Sequence, residues 1–319
     1  MTVLVALRDW DIDAWVARLR RELPGRNIVT LGEPFDRRAV HYAVSWKHPP
    51  GSLAGLPNLS AIFSLGAGVD HLMGDDRLPD VPIMRVVDPD LTSRMSEYII
   101  LHCLKILRQQ MRYVRQQAER LWEDDRDQPA AADVRVGIMG MGVLGQDAAR
   151  KLRMIGFDVA GWSRTARASS SAVLEGVEVF TGEEGLAPFL ARTDILVCLL
   201  PLTDDTRGIL DSKLLSGLAR TGRTGGAHLI NAGRGGLQVE ADILACLDDG
   251  TLASATLDVF QTEPLPQASP LWTHPRVDIT PHNAAMSAPA TIARLVAEQI
   301  ARAERGEPFQ HAVDRSRGY

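Results

Sequence analysis

Short apolar runs alternate with amphipathic stretches along most of the chain, and this alternation predicts a parallel α/β architecture. The apolar runs are typical of buried strands and cover residues 2–7, 40–46, 59–65, 134–139, 157–162, 194–200, 227–232, 253–260 and 277–280. Helical spacing predicts helices over residues 12–21, 146–154, 184–191, 211–218, 239–247 and 288–303. We therefore expect an α/β fold with two doubly wound parallel sheets.

Residues 93–121 carry one long helical pattern between the two predicted sheets. Its first half has a broad apolar face, and its second half is rich in Arg and Gln. We interpret this helix as a bridge between two domains that also contacts a partner subunit, which predicts a homodimer. Because the second sheet is complete before the last helix, that helix is expected to return to the first domain. The predicted domains are residues 1–98 with 285–319, and residues 99–284.

A glycine-rich turn joins the first strand of the second sheet to the helix that follows. Its sequence is G-x-G-x-x-G, formed by Gly140, Met141, Gly142, Val143, Leu144 and Gly145. Gly140 permits the tight turn, Gly142 lets a pyrophosphate approach the backbone, and Gly145 lets the helix pack close to the strand. The helix start adds unpaired N–H groups and the positive end of a dipole. This combination predicts dinucleotide binding; the alternative is an ordinary glycine-rich βα turn.

The next strand ends without the acidic residue that NAD-binding proteins usually place there. Trp162 is followed instead by Ser163, Arg164 and Thr165, with Arg167 nearby. A carboxylate would repel a 2′-phosphate, whereas a guanidinium can bind it through charge-assisted hydrogen bonds worth roughly 1.5–3 kcal/mol. We therefore predict a preference for NADP(H), with NAD(H) as a second cofactor; the alternative is a solvent-exposed loop arginine.

Two later strand ends carry side chains with catalytic chemistry. Arg234 lies among glycines after the strand at 227–232, where its planar, charged fork suits a carboxylate and an adjacent carbonyl oxygen. His282 lies between a proline and an asparagine at the last strand end. A carboxylate such as Glu263 beside it would favour the imidazolium that donates a proton. The alternatives are a surface arginine in a turn and a structural histidine.

A loop of small residues follows a strand in the first domain, at Gly66, Ala67 and Gly68. Successive small residues expose backbone N–H groups, which can form an anion site. The alternative is a flexible loop.

Composition narrows the classes of function. The 319 residues carry a formal charge of −5, so no nucleic-acid partner is expected. Cys103, Cys198 and Cys246 lie in apolar contexts, typical of core residues in a reducing compartment. No signal peptide, membrane span, P-loop, nucleophile elbow or zinc-type spacing is found. We expect a cytoplasmic protein with no metal site and no membrane partner.

These residues, in this order along nearly the whole chain, resemble the D-2-hydroxyacid dehydrogenase family. Finer features resemble its glyoxylate/hydroxypyruvate reductase A branch, among them residues 45–50, Trp162 to Arg164, residues 313–315, and Gly318 with Tyr319. The resemblance implies a Rossmann NAD(P)-binding domain over residues 99–284, inserted into a flavodoxin-like substrate-binding domain. It also implies that the catalytic residues and the cofactor meet at a single nicotinamide ring.

The resemblance assigns three sets of residues. The catalytic set is Arg234, Glu263 and His282. The cofactor set is the glycine-rich turn with Trp162, Ser163, Arg164, Thr165, Leu200, Pro201, Thr206, Ala232, Gly233 and Asp258, of which the last matches the position that holds the nicotinamide carboxamide. The substrate set is Trp46, Gly66, Ala67, Gly68, Met95, Arg234 and His282.

The implied reaction is hydride transfer to C2 of a small 2-oxo acid such as glyoxylate or hydroxypyruvate. Arg234 and the Gly66–Gly68 amides would hold the carboxylate, and His282 would protonate the alkoxide, a contribution of roughly 10²–10⁴ in rate. Trp46 and Met95 would cap the pocket; packing in the domain cores is the alternative. Other functions remain open, namely a reductase of a different or larger 2-ketoacid in the same family, and a dinucleotide-sensing binding protein on this fold.

Overall fold

The computed structural model describes residues 1–165 and 175–318 and divides into two compact units. Unit 1 comprises Met1–Leu91 and Ser287–Tyr319, and unit 2 comprises Thr92–Met286. The chain thus leaves unit 1, completes unit 2 and returns. The sequence places the boundaries at 98/99 and 284/285, whereas the units divide at 91/92 and 286/287. Arg167 and Tyr319 lie outside the described residues.

Unit 1 is built on a five-stranded parallel sheet. Its strands are β1 (Thr2–Leu7), β2 (Asn27–Thr30), β3 (Val40–Trp46), β4 (Ala61–Ser64) and β5 (Ile83–Met84), in the order β2-β1-β3-β4-β5. This is the flavodoxin-like strand order. Two of its helices are α1 (Ile12–Glu22) and α2 (Asp70–Met73). β2 and β5 were not predicted, because such short strands carry too few residues for a periodic signal.

The prediction of a single helix over residues 93–121 is wrong. The structure has α3 (Pro89–Leu107) and α4 (Gln110–Glu119) instead, separated by a break at Gln109. Gln109 has a left-handed backbone, with φ +53°, which an α-helix cannot accommodate. Its side-chain amide donates to Asp125 Oδ2 at 2.5 Å, so the polar segment after α4 folds back on the break.

Unit 2 contains a seven-stranded parallel sheet. Its strands are β6 (Arg135–Met139), β7 (Asp158–Ser163), β8 (Glu178–Thr181), β9 (Ile195–Cys198), β10 (Ala227–Asn231), β11 (Leu252–Leu257) and β12 (Val277–Ile279), in the order β12-β11-β10-β9-β6-β7-β8. The connecting helices are α5 (Val143–Ile155), α6 (Gly182–Ala191), α7 (Ser212–Ser216) and α8 (Glu240–Asp248). The two doubly wound parallel sheets are confirmed. Strand order reverses between β6 and β9, and ligands bind beside the carboxyl ends of strands at such a point.

The last helix, α9 (Pro289–Glu304), belongs to unit 1. Its residues Ile292, Val296 and Ile300 are buried in the same apolar cluster as Trp15 and Leu19 of α1. The helix therefore completes the core on one face of the first sheet.

The three cysteines are free and buried, which confirms their prediction as core residues. Burial raises the pKa of the Cys198 thiol to about 12. Among the described residues, no helix is both long enough and apolar enough to cross a bilayer.

Candidate active site

The carboxyl edge of the unit 2 sheet carries the candidate catalytic residues. Arg234 follows β10, Asp258 follows β11, and His282 follows β12. The three strands are neighbours in the sheet, so their carboxyl ends lie side by side.

His282 and Glu263 form a hydrogen-bonded pair. His282 Nδ1 lies 2.8 Å from Glu263 Oε2, and Glu263 Oε1 accepts the Phe260 N–H at 3.1 Å. The side chains are 37% and 25% exposed, so the pair is open to a ligand. Because Nδ1 is held by a carboxylate, it carries a hydrogen, and Nε2 is left as the ring nitrogen that can exchange a proton.

Asp258 positions the segment that bears His282. Its buried carboxylate accepts the Thr280 hydroxyl at 2.6 Å and the N–H groups of Asn283 and Ala284 at 3.0 and 3.1 Å. The His282 N–H donates to the Asp258 carbonyl at 2.8 Å. These bonds hold His282 in a left-handed conformation, φ +51°, which costs a non-glycine residue of the order of 1–3 kcal/mol. In this structure Asp258 serves the loop, and its contact with a nicotinamide carboxamide stays a prediction.

The hydrogen bonds around Asp258 extend through Thr280 to Tyr98, which is far away in the chain. The buried Tyr98 hydroxyl lies 2.8 Å from Thr280 Oγ1, and because Thr280 donates to Asp258, Tyr98 is the donor. Burial raises the pKa of Tyr98 well above its usual range, so it stays a neutral donor. This role of Tyr98 and Thr280 was not predicted from the sequence, where the available signal was a Thr-Pro pair at a strand end.

Arg234 is held by a turn built on Asn231. The buried Asn231 side chain accepts the Gly233 N–H at 3.1 Å and donates to the Arg234 carbonyl at 3.2 Å. A Cβ atom added to Gly235 would lie 1.8 Å from the Phe260 carbonyl oxygen. Only glycine therefore lets the chain after Arg234 pass so close to the segment that carries Glu263.

The glycine-rich turn has the geometry that its sequence predicts. Gly140 has φ +106°, and a Cβ atom on Gly145 would lie 2.1 Å from the Gly140 oxygen. Gly142 precedes α5 and would meet nothing within 4 Å, so open space lies beside it. No side chain among the described residues caps the start of α5, which leaves backbone N–H groups for phosphate oxygens.

The residues predicted to contact the rest of the cofactor differ in how exposed they are and in whether their polar groups are already hydrogen-bonded. Trp162 and Leu200 are buried in the core, where the Trp162 indole N–H donates to the Gly182 carbonyl at 3.0 Å. Thr206 is also buried and donates to the Pro201 carbonyl at 2.7 Å, which favours a role in shaping the loop. Arg164 forms an ion pair with Asp205 at the end of β7.

The small-residue loop lies after β4 in unit 1. Ser64 Oγ lies 3.3 Å from Gly66 N and 3.1 Å from the Gly68 carbonyl oxygen, which fixes the turn. Within residues 1–165 and 175–318, the N–H groups of Ala67 and Gly68 have no acceptor. The Trp46 ring covers Gly66, where an added Cβ would lie 2.3 Å from a ring carbon.

The two predicted pocket caps differ in their surroundings. Trp46 is half-buried and stacks on Trp10, with ring centroids 5.0 Å apart. Met95 is buried in the apolar core of unit 2, beside Ile99 and Val136, which favours the packing alternative for this residue.

The strand order, the glycine-rich turn and the residues after the strands are together typical of dinucleotide-dependent dehydrogenases. Comparison of the chain with known proteins identifies the family. The model of the family described as D-isomer specific 2-hydroxyacid dehydrogenase, NAD binding domain, matches residues 100–284. The chain belongs to the D-isomer specific 2-hydroxyacid dehydrogenase family.

Individual relatives indicate which branch of the family the chain is most similar to among those compared. The chain is 39% identical over 316 residues to glyoxylate/hydroxypyruvate reductase A of Serratia proteamaculans, with 97% of both chains covered. It is 49% identical to an NADPH-dependent glyoxylate/hydroxypyruvate reductase from Sinorhizobium meliloti solved with NADP and sulfate, with a TM-score of 0.91 over 100% of this chain and 99% of that chain. A probable 2-hydroxyacid dehydrogenase from Rhizobium etli, solved with NADP, HEPES and L(+)-tartaric acid, is 46% identical with a TM-score of 0.92 over the same shares. The predicted family and branch are confirmed.

Proposed function

We propose that the protein catalyses the NADPH-dependent reduction of glyoxylate and hydroxypyruvate to 2-hydroxy acids. The observation that carries the proposal is the His282–Glu263 pair, 2.8 Å apart at the sheet edge that also bears Arg234. A purely binding protein has no need of a proton donor braced by a carboxylate. The names of the relatives from Serratia and Sinorhizobium support this substrate class.

The residues of unit 2 fit a dinucleotide. Gly142 leaves open space beside the uncapped start of α5, so the backbone of residues 140–145 would hold the pyrophosphate. Arg164 would bind the 2′-phosphate, since no carboxylate occupies residues 163–165. When bound, the nicotinamide supplies the hydride.

The remaining chemistry belongs to the side chains. Arg234 would bind the substrate carboxylate and polarise the carbonyl at C2, which suits a guanidinium fork. In unit 1, the Ala67 and Gly68 N–H groups would bind an anion. His282 would donate the Nε2 proton to the oxygen on C2, and Glu263 would fix the ring and stabilise its positive charge. Glu263 acts through His282 and is a positioning residue.

The test is a substrate panel with a matched variant. Glyoxylate, hydroxypyruvate and phenylpyruvate are offered with NADPH and with NADH, and absorbance at the nicotinamide band is followed. We expect turnover of the two small acids with NADPH, and a loss of at least about 10²-fold in His282→Gln with unchanged NADPH affinity. Preference for phenylpyruvate would indicate a reductase of larger acids. Cofactor binding with no turnover of any acid would indicate a sensing protein.

We also propose that the protein is a cytoplasmic homodimer that does not bind nucleic acid. Free, buried cysteines agree with a reducing compartment, and the excess of acidic residues opposes nucleic-acid binding. Large exposed apolar side chains are grouped on α3, on α4 and just after α4, at Leu101, Val114, Leu121 and Trp122. Such a group marks a surface for a protein partner.

A further inference from the structure

A buried glutamine joins the two segments that carry Arg234 and Glu263. Gln238 lies between the turn that follows β10 and the start of α8, and its side chain is fully buried. The proposed mechanism assigns no role to it. A buried primary amide costs free energy unless its donors and its acceptor find partners, so the contacts of Gln238 show what the fold gains from it.

The side-chain amide of Gln238 contacts the Arg234 turn at one end and the segment after β11 at the other. Its oxygen accepts from Asn231 Nδ2 at 2.8 Å, and its nitrogen donates to the Val259 carbonyl at 2.9 Å. The same Asn231 nitrogen donates to the Arg234 carbonyl at 3.2 Å. One amide therefore connects the backbone of Arg234 to the backbone that precedes Glu263.

Two further hydrogen bonds hold the segment on the other side of Phe260. The Gln238 carbonyl accepts from the Gln261 side-chain nitrogen at 2.8 Å, and the Gln261 N–H donates to Glu240 Oε1 at 2.8 Å. Both neighbours of Phe260 are thereby fixed, and its own N–H donates to Glu263 Oε1 at 3.1 Å. The position of the Glu263 carboxylate thus depends on a backbone that Gln238 holds.

Arg234 and His282 would act on the same oxygen of the substrate, so the reaction depends on the spacing between a guanidinium and an imidazole. His282 Nδ1 lies 2.8 Å from Glu263 Oε2, and Glu263 is held by the Phe260 N–H. A misplacement of about 1 Å can cost on the order of 10²-fold in rate. An apolar side chain in place of Gln238 would fill the same space but would hold neither segment by a hydrogen bond.

We propose that Gln238 is a positioning residue of the reductase, which sets the spacing between Arg234 and the Glu263–His282 pair. The inference rests on the proposed function, since it concerns the geometry of that reaction. Because its side chain is buried, Gln238 acts through the backbone that it holds. A buried amide with all its partners specifies one arrangement of them, whereas an apolar core tolerates repacking.

The test replaces the amide by an apolar side chain of similar volume. In Gln238→Met, glyoxylate reduction is measured with saturating NADPH and expressed per chain that binds NADPH, so that unfolded protein is not counted. We expect kcat to fall at least about tenfold, with NADPH affinity within about threefold of the wild type. Thr193→Val is the matched control with unchanged kcat, because the buried Thr193 hydroxyl donates to the Phe189 carbonyl at 2.7 Å just before β9, at the amino edge of the sheet.

Gln238→Glu is the conservative variant. Burial favours the neutral form of its carboxyl group, which can accept from Asn231 and donate to the Val259 carbonyl. We therefore expect kcat in Gln238→Glu to be at least about threefold higher than in Gln238→Met. A role in filling space alone would not distinguish the two variants.

Hydrogen exchange measures the link without any turnover. The Gly233 N–H donates to the Asn231 side chain at 3.1 Å on one side of the link, and the Phe260 N–H donates to Glu263 on the other. In the wild type we expect these two amides to open together, with protection equal to within about threefold. In Gln238→Met both should exchange at least about tenfold faster, while the amides of β9 keep their protection.

The proposal is overturned if Gln238→Met keeps the kcat of the wild type, if Thr193→Val loses as much, or if Gln238→Glu is as slow as Gln238→Met. It is also overturned if the two amides open independently in the wild type, a measurement that needs no variant to fold. Turnover by the wild type decides the proposed function by itself. Hydrogen exchange decides whether Gln238 holds the two segments, with or without turnover.

Discussion

Arg164 lies at the end of β7, where we propose that the cofactor preference is decided, and its partner Asp205 holds it only weakly. Asp205 has a 74% exposed side chain, and ion pairs at such surfaces contribute little to stability because water and salt screen them. The guanidinium can therefore exchange this carboxylate for a phosphate at small cost. The pair keeps the arginine beside the end of β7 until a ligand binds.

Reversing this charge should reverse the cofactor preference. In Arg164→Asp we expect NADPH affinity to fall at least about tenfold, since a phosphate would then face a carboxylate, and NADH affinity to hold or improve. Fluorescence titration with each cofactor measures the ratio. Arg223→Asp is the control, because Arg223 forms a similar exposed pair with Asp127 in the same unit. An unchanged ratio in Arg164→Asp would refute the assignment.

His282 and Glu263 should lose activity as a unit. Glu263→Gln keeps a hydrogen-bonding side chain but removes the charge, so we expect kcat to fall about tenfold or more with little change in the KM for NADPH. The double variant with His282→Gln should be no slower than His282→Gln alone, because Glu263 acts only through the ring. Fully multiplicative losses in the double variant would show that Glu263 has a separate role.

The same residues show how far a sequence can be interpreted. The positions of Arg234 and His282 at the carboxyl edge of the sheet were predictable because each follows a strand, and sites on parallel sheets form at that edge. Tyr98 was not, since its partner Thr280 is 182 positions away and only the folded chain brings the two together. Asp258 was predicted to contact the cofactor from the family resemblance, whereas the bonds seen here are to the His282 segment.

At the level of elements, the turn after β10 packs directly against the segment after β11. This close packing is possible because residue 235 is a glycine and has no side chain. Gly235 passes so close to the Phe260 carbonyl that no larger residue fits without a backbone shift. Two short segments that follow neighbouring strands are thereby held against each other, and they carry Arg234 and Glu263.

Adding one methyl group should separate these segments. We expect Gly235→Ala to lower the free energy of unfolding by about 1–3 kcal/mol and to reduce kcat, because Arg234 is displaced. Urea unfolding and steady-state kinetics measure both effects. Gly236→Ala is the neighbouring control, since its Cβ would meet only the ends of two flexible side chains, Leu202 at 2.8 Å and Arg207 at 3.4 Å. Equal behaviour of the two variants would contradict the close approach.

Elements were predictable in proportion to their length and periodicity. The long strands and α5 are evident from apolar runs and spacing, whereas β8, with four mostly exposed residues, resembles a loop. The break between α3 and α4 was missed because Gln109 is an ordinary helix-forming residue in isolation. Its side-chain amide bonds to Asp125, which lies beyond the next helix, so the contact is not visible from local sequence.

The molecule as a whole should lose stability in mild acid. Burial lowers the pKa of His228 to about 4, below the value of about 6.5 in an unfolded chain. Between these values the unfolded chain binds a proton that the folded chain does not, so the free energy of unfolding falls as the pH drops from about 6.5 to 4, by about 2–3 kcal/mol for this residue. Urea unfolding at several pH values should show a shallower slope in His228→Gln. An identical slope would contradict the burial argument.

The proposed homodimer is a property of the whole chain that sedimentation can test. We expect twice the 34.8 kDa mass of one chain, because the Trp122 side chain is 99% exposed and lies near other exposed apolar groups. Trp122→Glu should shift the equilibrium towards the single chain. Met286→Glu is the control, since Met286 is also exposed but belongs to neither α3 nor α4. A wild-type mass of one chain would remove the proposal.

The position of α9 in the chain sets an order for biosynthesis. The first sheet emerges from the ribosome early, but the helix that covers one of its faces begins at Pro289, more than two hundred residues after the last strand of that sheet ends at Met84. Unit 2 is contiguous in the chain and can fold in the meantime. The apolar surface around Trp15 and Leu19 therefore stays uncovered until α9 has been synthesised, and it is the place where a nascent chain would most need a chaperone.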